Sequence, residues 1–104
     1  MKIAIGCDHA GFRLKDYLLK ELTKLGHEMI NCGTDSEDSV DYPDYAGDVC
    51  RLIQSNNAQL GILVCSTGIG ISIAANKLKG IRAALCHTEF SAAMARQHND
   101  ANVL

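Results

Sequence analysis

The 104-residue sequence predicts an α/β fold: one domain built on a parallel sheet with helices on both faces. Two observations carry this expectation. Strand-like and helix-like segments alternate four times along the chain. The strand-like segments are also nearly continuous apolar runs, without the polar alternation of a sheet that faces water on one side. In open sheets of this kind ligands bind beyond the carboxyl ends of the strands. The residues that end each apolar run are therefore the first candidates for function.

Residues 2–7 read as the first strand. A helix opens after Gly11, with Leu14, Leu18, Leu22 and Leu25 at helical spacing and Gly26 as its stop. A second strand covers 28–32 and is closed by Gly33, and the polar stretch 34–41 is a loop. Pro43 suits the first turn of a second helix that runs to about Asn56. The third strand spans 60–65, and a short helix runs from Ile71 to about Lys77. A fourth strand is expected over 81–86. Thr88 then caps a fourth helix through about His98, and Val103 and Leu104 begin a fifth strand.

Composition excludes several classes. The net charge is −2 and no basic face is visible, so nucleic acid is not an expected partner. No apolar run approaches membrane-spanning length, and the N-terminus enters a strand without a signal-peptide pattern, so no membrane partner and a cytoplasmic location are expected. The five cysteines are Cys7, Cys32, Cys50, Cys65 and Cys86. Their odd number and lack of CxxC spacing argue for reduced thiols over a disulfide framework or a zinc knuckle. All but Cys50 end apolar runs, so a parallel sheet would gather four thiols at one edge.

The segment 60–72 carries the strongest chemical signal. An apolar strand ends in Cys65, Ser66-Thr67-Gly68-Ile69-Gly70 forms a glycine-containing loop, and a helix follows. Backbone N–H groups at such a place hold anions and lower the cost of forming a thiolate. By itself a strand-end cysteine is usually a small buried hydrophobe. The loop after it favours a nucleophilic or basic Cys65 acting on a small anionic substrate. Asp8 and His9 follow the first strand; they read either as a turn with its cap or as a pair that holds a sugar hydroxyl and a phosphate. His98, beside Arg96 at a helix end, complements the helix dipole or serves as a general acid–base. Tyr42 either lines the pocket or packs over the start of its helix. His27 and His87 read as surface or strand-end residues. No cysteine or histidine pair has familiar ligand spacing, so no metal is expected. The glycines form neither GxGxxG after the first strand nor GxxxxGK[ST], so no dinucleotide or nucleoside triphosphate cofactor is expected either.

Five segments together resemble the ribose-5-phosphate isomerase B family, within the wider group that includes galactose-6-phosphate isomerase subunits. They are GCDHAGF at 6–12, DYPDYA at 41–46, CSTGIGISIAANK at 65–77, GIRAALC at 80–86 and RQHNDANVL at 96–104. The resemblance implies a metal-independent interconversion of ribose 5-phosphate and ribulose 5-phosphate through an enediolate, in the pentose phosphate pathway. It implies that Cys65 moves the proton between the first two sugar carbons. Thr67 and the amides of Ser66, Gly68, Ile69 and Gly70 would steady the enediolate, and His98 would open the furanose ring with Asp8 nearby. Asp8, His9 and Asn99 match substrate-contacting positions. It further implies a flavodoxin-like three-layer α/β/α sandwich of five parallel strands, and a homodimer or dimer of dimers with sites at the subunit interface. The family continues past the NVL segment through a fifth strand and a terminal helix that carry phosphate-gripping arginines. Residues 1–104 therefore read as a single isomerase domain without those elements. None of Arg13, Arg51, Arg82 and Arg96 matches the arginine positions, so the 104-residue form is expected to bind substrate poorly.

Three other readings compete. A sister enzyme would isomerise galactose or allose 6-phosphate. A phosphoryl carrier or phosphatase would use phosphocysteine at Cys65, although such phosphatases place an arginine six positions later, where this chain has Ile71. A non-catalytic small-molecule binding domain is the third.

Overall fold

A computed structural model describes all 104 residues, Met1–Leu104. The elements are β1 (Lys2–Cys7), α1 (Phe12–Lys24), β2 (Glu28–Asn31), α2 (Tyr42–Gln54), β3 (Leu60–Val64), α3 (Ile69–Asn76) and α4 (Glu89–Asn99). A single 3-10 turn, His9–Gly11, joins β1 to α1.

The three strands form a parallel sheet in the order β2-β1-β3. The chain thus steps from β1 to one side, then crosses back over β1 to the other. Parallel crossovers are right-handed, so reversing direction puts the two connecting helices on opposite faces. α1 packs on one face, and α2 with α3 covers the other, giving the expected three layers. β1 lies at the centre, and its Ala4, Ile5 and Cys7 are fully buried. On the α2 face, Ala4, Val49 and Ala58 form one core cluster and Cys50, Ala75, Ile81 and Val103 another.

The expected fourth strand is not a strand. Within 81–86 only Ala83 forms a bridge, with Val103, and Val103 also bridges Gly61 of β3. Residues 102–104 therefore lie between β3 and the 81–86 segment. Leu63 donates to the Leu104 carbonyl (2.8 Å) and Ala84 to that of Val103 (2.9 Å). An apolar run becomes a strand only if a neighbour pairs along its length, and this run has no direct contact with β3's hydrogen-bonding edge. The other differences are at boundaries: β2 and β3 stop one residue before Cys32 and Cys65, and α3 starts at Ile69 instead of Ile71.

The leucine stripe of α1 is only partly interior. Leu14 and Leu25 are exposed, whereas the side chain of Lys15 is fully buried. Its ammonium donates to Asp35 Oδ1 (2.6 Å) and Asn31 Oδ1 (3.2 Å) and stands 5.4 Å from the centre of the Phe12 ring.

Thr88 caps α4 as expected. Its Oγ1 accepts from the Ser91 N–H (3.1 Å), and Ser91 Oγ accepts from the Thr88 N–H (3.3 Å). Thr88→Ala removes this reciprocal cap. We expect a loss of about 1 kcal/mol, read as a fall in Tm of about 5 °C in a thermal melt.

Candidate active site

The register of the sheet sets the site. Cys7 of β1 is paired with Val64 of β3, so the residues that follow, Asp8 and Cys65, leave adjacent strands side by side. The strand ends flanking a reversal of sheet direction form the crevice where open α/β sheets bind ligands. The two turns are tied together: the Asp8 N–H donates to the Val64 carbonyl (3.3 Å). Gly11 lies so close to the same carbonyl that a Cβ there would collide with it.

Asp8 is buried and caps the 3-10 turn. Its Oδ1 accepts from the N–H groups of Ala10 (3.0 Å) and Gly11 (3.1 Å). The capping role is met by one carboxylate oxygen alone. His9 Nδ1 accepts from the Val40 N–H (3.2 Å). Because an amide N–H can only donate, Nδ1 carries no proton, and in the neutral ring the proton is on Nε2.

Cys65 is half-buried, and its Sγ accepts from the Gly68 N–H at 3.0 Å. Gly68 makes this possible with a left-handed φ of 76°, a conformation strained for any side chain. Thr67 Oγ1 accepts from the N–H of Ile69, the first residue of α3 (3.1 Å). One main-chain donor, the Gly68 N–H, thus reaches the sulfur just before the N-terminus of α3, where the sequence led us to expect a row of them. The thiol also borders a cavity of about 290 Å³, which Cys65, Ser66, Thr67 and Gly68 line together with Cys86 and His87; the rest of its wall is mostly apolar, including Leu14, Leu18, Ile62, Leu85 and Leu104, and neither Asp8 nor His9 borders it.

The other candidates divide. Tyr42, the first residue of α2, packs over α3: a methyl on Gly70 would lie 2.8 Å from its hydroxyl. It does not line the cavity. His98 and Asn99 are exposed on the last turn of α4, with the Asn99 carbonyl accepting from Arg82 Nε (2.7 Å). Neither borders the Cys65 cavity of its own chain. Ile71, six positions after Cys65, is buried at 1% exposure and presents nothing to an anion. Cys86 and His87 do border the cavity; the sequence places Cys86 at the sheet edge and His87 at a strand end but gives neither a role in the site.

Burial pushes the thiols of Cys7 and Cys32 up and that of Cys50 up to about 11. These three stay protonated at neutral pH. No three histidine, cysteine, aspartate or glutamate side chains converge as metal ligands. No helix is long and apolar enough to cross a membrane.

Comparison with known proteins adds the following. A family described as Ribose/Galactose Isomerase matches residues 3–104. Ribose-5-phosphate isomerase B of Escherichia coli is 52% identical over 103 residues, covering 99% of this chain and 69% of that protein. Among solved structures, ribose-5-phosphate isomerase B of Clostridium thermocellum superposes with a TM-score of 0.99 at 51% identity, over 100% of this chain and 70% of the other. The Thermotoga maritima ribose 5-phosphate isomerase gives a TM-score of 0.97 at 55% identity, over 99% and 71%.

Proposed function

Since the chain belongs to the ribose/galactose isomerase family, we propose that it is an aldose–ketose isomerase that interconverts ribose 5-phosphate and ribulose 5-phosphate in the pentose phosphate pathway. The observation that carries the chemistry is the 3.0 Å hydrogen bond from the Gly68 N–H to Cys65 Sγ, beside Asp8 at the carboxyl ends of β1 and β3.

The Cys65 thiolate removes the proton from C2 of the open-chain aldose. The C2–H electron pair becomes the C1–C2 double bond, and the carbonyl oxygen on C1 takes up negative charge. The thiol then returns its proton to C1 while the hydroxyl proton passes from O2 to O1, leaving the C2 ketone. Charge that builds on oxygen during this sequence is met by the amides of residues 66–70 and the Thr67 hydroxyl; the Gly68 and Ile69 amides exchange their present acceptors, Cys65 Sγ and Thr67 Oγ1, for the substrate oxygen. Removing one such donor elsewhere costs about 3–4 kcal/mol of barrier. Asp8 has one carboxylate oxygen committed to its turn and offers the other to a sugar hydroxyl, and His9 offers Nε2–H to the substrate. His98 assists ring opening, and Asn99 contacts the substrate. No metal or cofactor is required.

The whole chain acts as one isomerase domain, and the working form is a cytoplasmic homodimer or dimer of dimers. His98 and Asn99 are exposed at the end of α4, where they are open to a second chain.

The reaction is tested by incubating the protein with ribose 5-phosphate and following ribulose 5-phosphate, with and without chelator and beside galactose and allose 6-phosphates. We expect product at a rate unchanged by chelator and greater on the pentose. A preference for a hexose phosphate would make it the sister enzyme. Tight binding without product would make it a binding domain.

A further inference from the structure

We propose that Lys15 is a positioning residue for His9, acting through the loop between β2 and α2. The proposal rests on the isomerase reading, in which His9 meets the substrate, but its first readout does not depend on turnover.

Residues 32–41 contain neither helix nor strand, so something other than a ladder must hold them. At the start, Thr34 N–H donates to the Cys7 carbonyl (2.9 Å). Next, Asp35 Oδ1 accepts from Lys15 Nζ (2.6 Å) and from Asn31 Nδ2 (2.9 Å). Glu37 then accepts from Arg13 Nε (2.6 Å). At the far end the Val40 N–H reaches His9 Nδ1. Two cations of α1 thus hold a loop whose last act is to fix the tautomer of a residue at the end of β1.

The two cations are not equivalent. Arg13 is 86% exposed, and an ion pair in water contributes little. The Lys15 side chain is fully buried, although its partner Asp35 is 73% exposed. A buried ammonium without a partner is strongly destabilising, so it demands its carboxylate. Asp16, at 3.4 Å, lies on α1 itself and cannot hold the loop; Asp35 can. Burial opposes the Lys15 charge, and the Asp35 hydrogen bond and charge outweigh it, leaving an ammonium held more firmly than usual. The Lys15 and Asn31 hydrogen bonds hold Asp35 below the ordinary carboxylate range. The link is therefore fully charged at neutral pH.

The consequence reaches His9 as follows. A neutral imidazole has two tautomers, and an amide that donates to Nδ1 selects the one with Nε2–H. If the loop is released, that amide drifts, both tautomers populate, and the donor facing the substrate is lost part of the time.

The test uses Lys15→Met, Asp35→Ala and the double variant, each in the full chain. In long-range ¹H–¹⁵N spectra, His9 Nδ1 of the unaltered protein is expected to be unprotonated and Nε2 protonated. All three variants are expected to show mixed tautomers. On ribose 5-phosphate they raise KM by about tenfold, the scale of one hydrogen bond, with kcat within about twofold. The double variant is no worse than either single one, because each breaks the same link. Glu37→Gln changes neither readout. If any folded member of the set keeps a fixed His9 tautomer and an unchanged KM, Lys15 serves only to hold α1 on the sheet. The double variant leaves no buried unpaired charge, so it remains informative if a single variant fails to fold. An inactive parent protein with the tautomer shift intact would overturn the isomerase reading and leave the positioning link standing.

Discussion

Cys65→Ala is expected to give a folded protein whose turnover of ribose 5-phosphate falls by about 10³-fold. The fold survives because Cys65 lies one residue past the end of β3, is only half-buried, and contributes one hydrogen bond to its surroundings. Removing it costs about 1 kcal/mol of stability, which a thermal melt can follow. Activity falls because the substitution removes the group that carries the proton. Cys7, Cys32 and Cys50 cannot replace it, since burial holds their thiols protonated. Cys65→Ser separates chemistry from loop geometry. The serine oxygen still accepts from the Gly68 N–H, but it is far too weak an acid to supply an anionic base at neutral pH. We therefore expect Cys65→Ser to be as inactive as Cys65→Ala. Recovery of activity in the serine variant would mean that the side chain only props the loop. Activity within tenfold of the parent in both variants would remove Cys65 from the mechanism.

The parts of this site legible in the sequence are those encoded by neighbouring residues. Gly68 announces the left-handed turn that brings its amide to Cys65. Thr88 announces the start of α4. The apolar runs of β1 and β3, read as parallel strands, place Asp8 and Cys65 at one edge. What the sequence hid depends on partners far along the chain. The run 81–86 has the composition of a strand, but its pairing is decided by Val103, some twenty residues later. The α1 pattern marks leucines for the interior, yet Leu14 is exposed and Lys15 is buried. Helical periodicity ranks lysine as a surface residue because it counts the charge and ignores the stem. Asp35 and Asn31, brought close by the β1–β2 pairing, together with Asp16 make burial of that ammonium tolerable. Asp8 was legible as a turn residue or as a ligand for the sugar, and a single side chain has the atoms for both: the turn takes Oδ1 alone.

Mixing two crippled variants is expected to restore activity. Cys65→Ala and His98→Ala should each be impaired alone, the second by about 10²-fold if His98 acts as an acid–base in ring opening. In the proposed dimer the site draws Cys65 from one chain and His98, exposed at the end of α4, from another. In a co-refolded equal mixture, about half of the dimers pair one variant with the other. Each such hybrid has one site with both substitutions and one site with neither. The mixture should therefore recover about a quarter of parental turnover, well above either variant alone. If both residues came from one chain, every site in every hybrid would carry a substitution, and mixing would restore nothing. Titrating the ratio sharpens the contrast. Shared sites give a maximum at equal amounts of the two variants, whereas sites within one chain give a straight line between two low values.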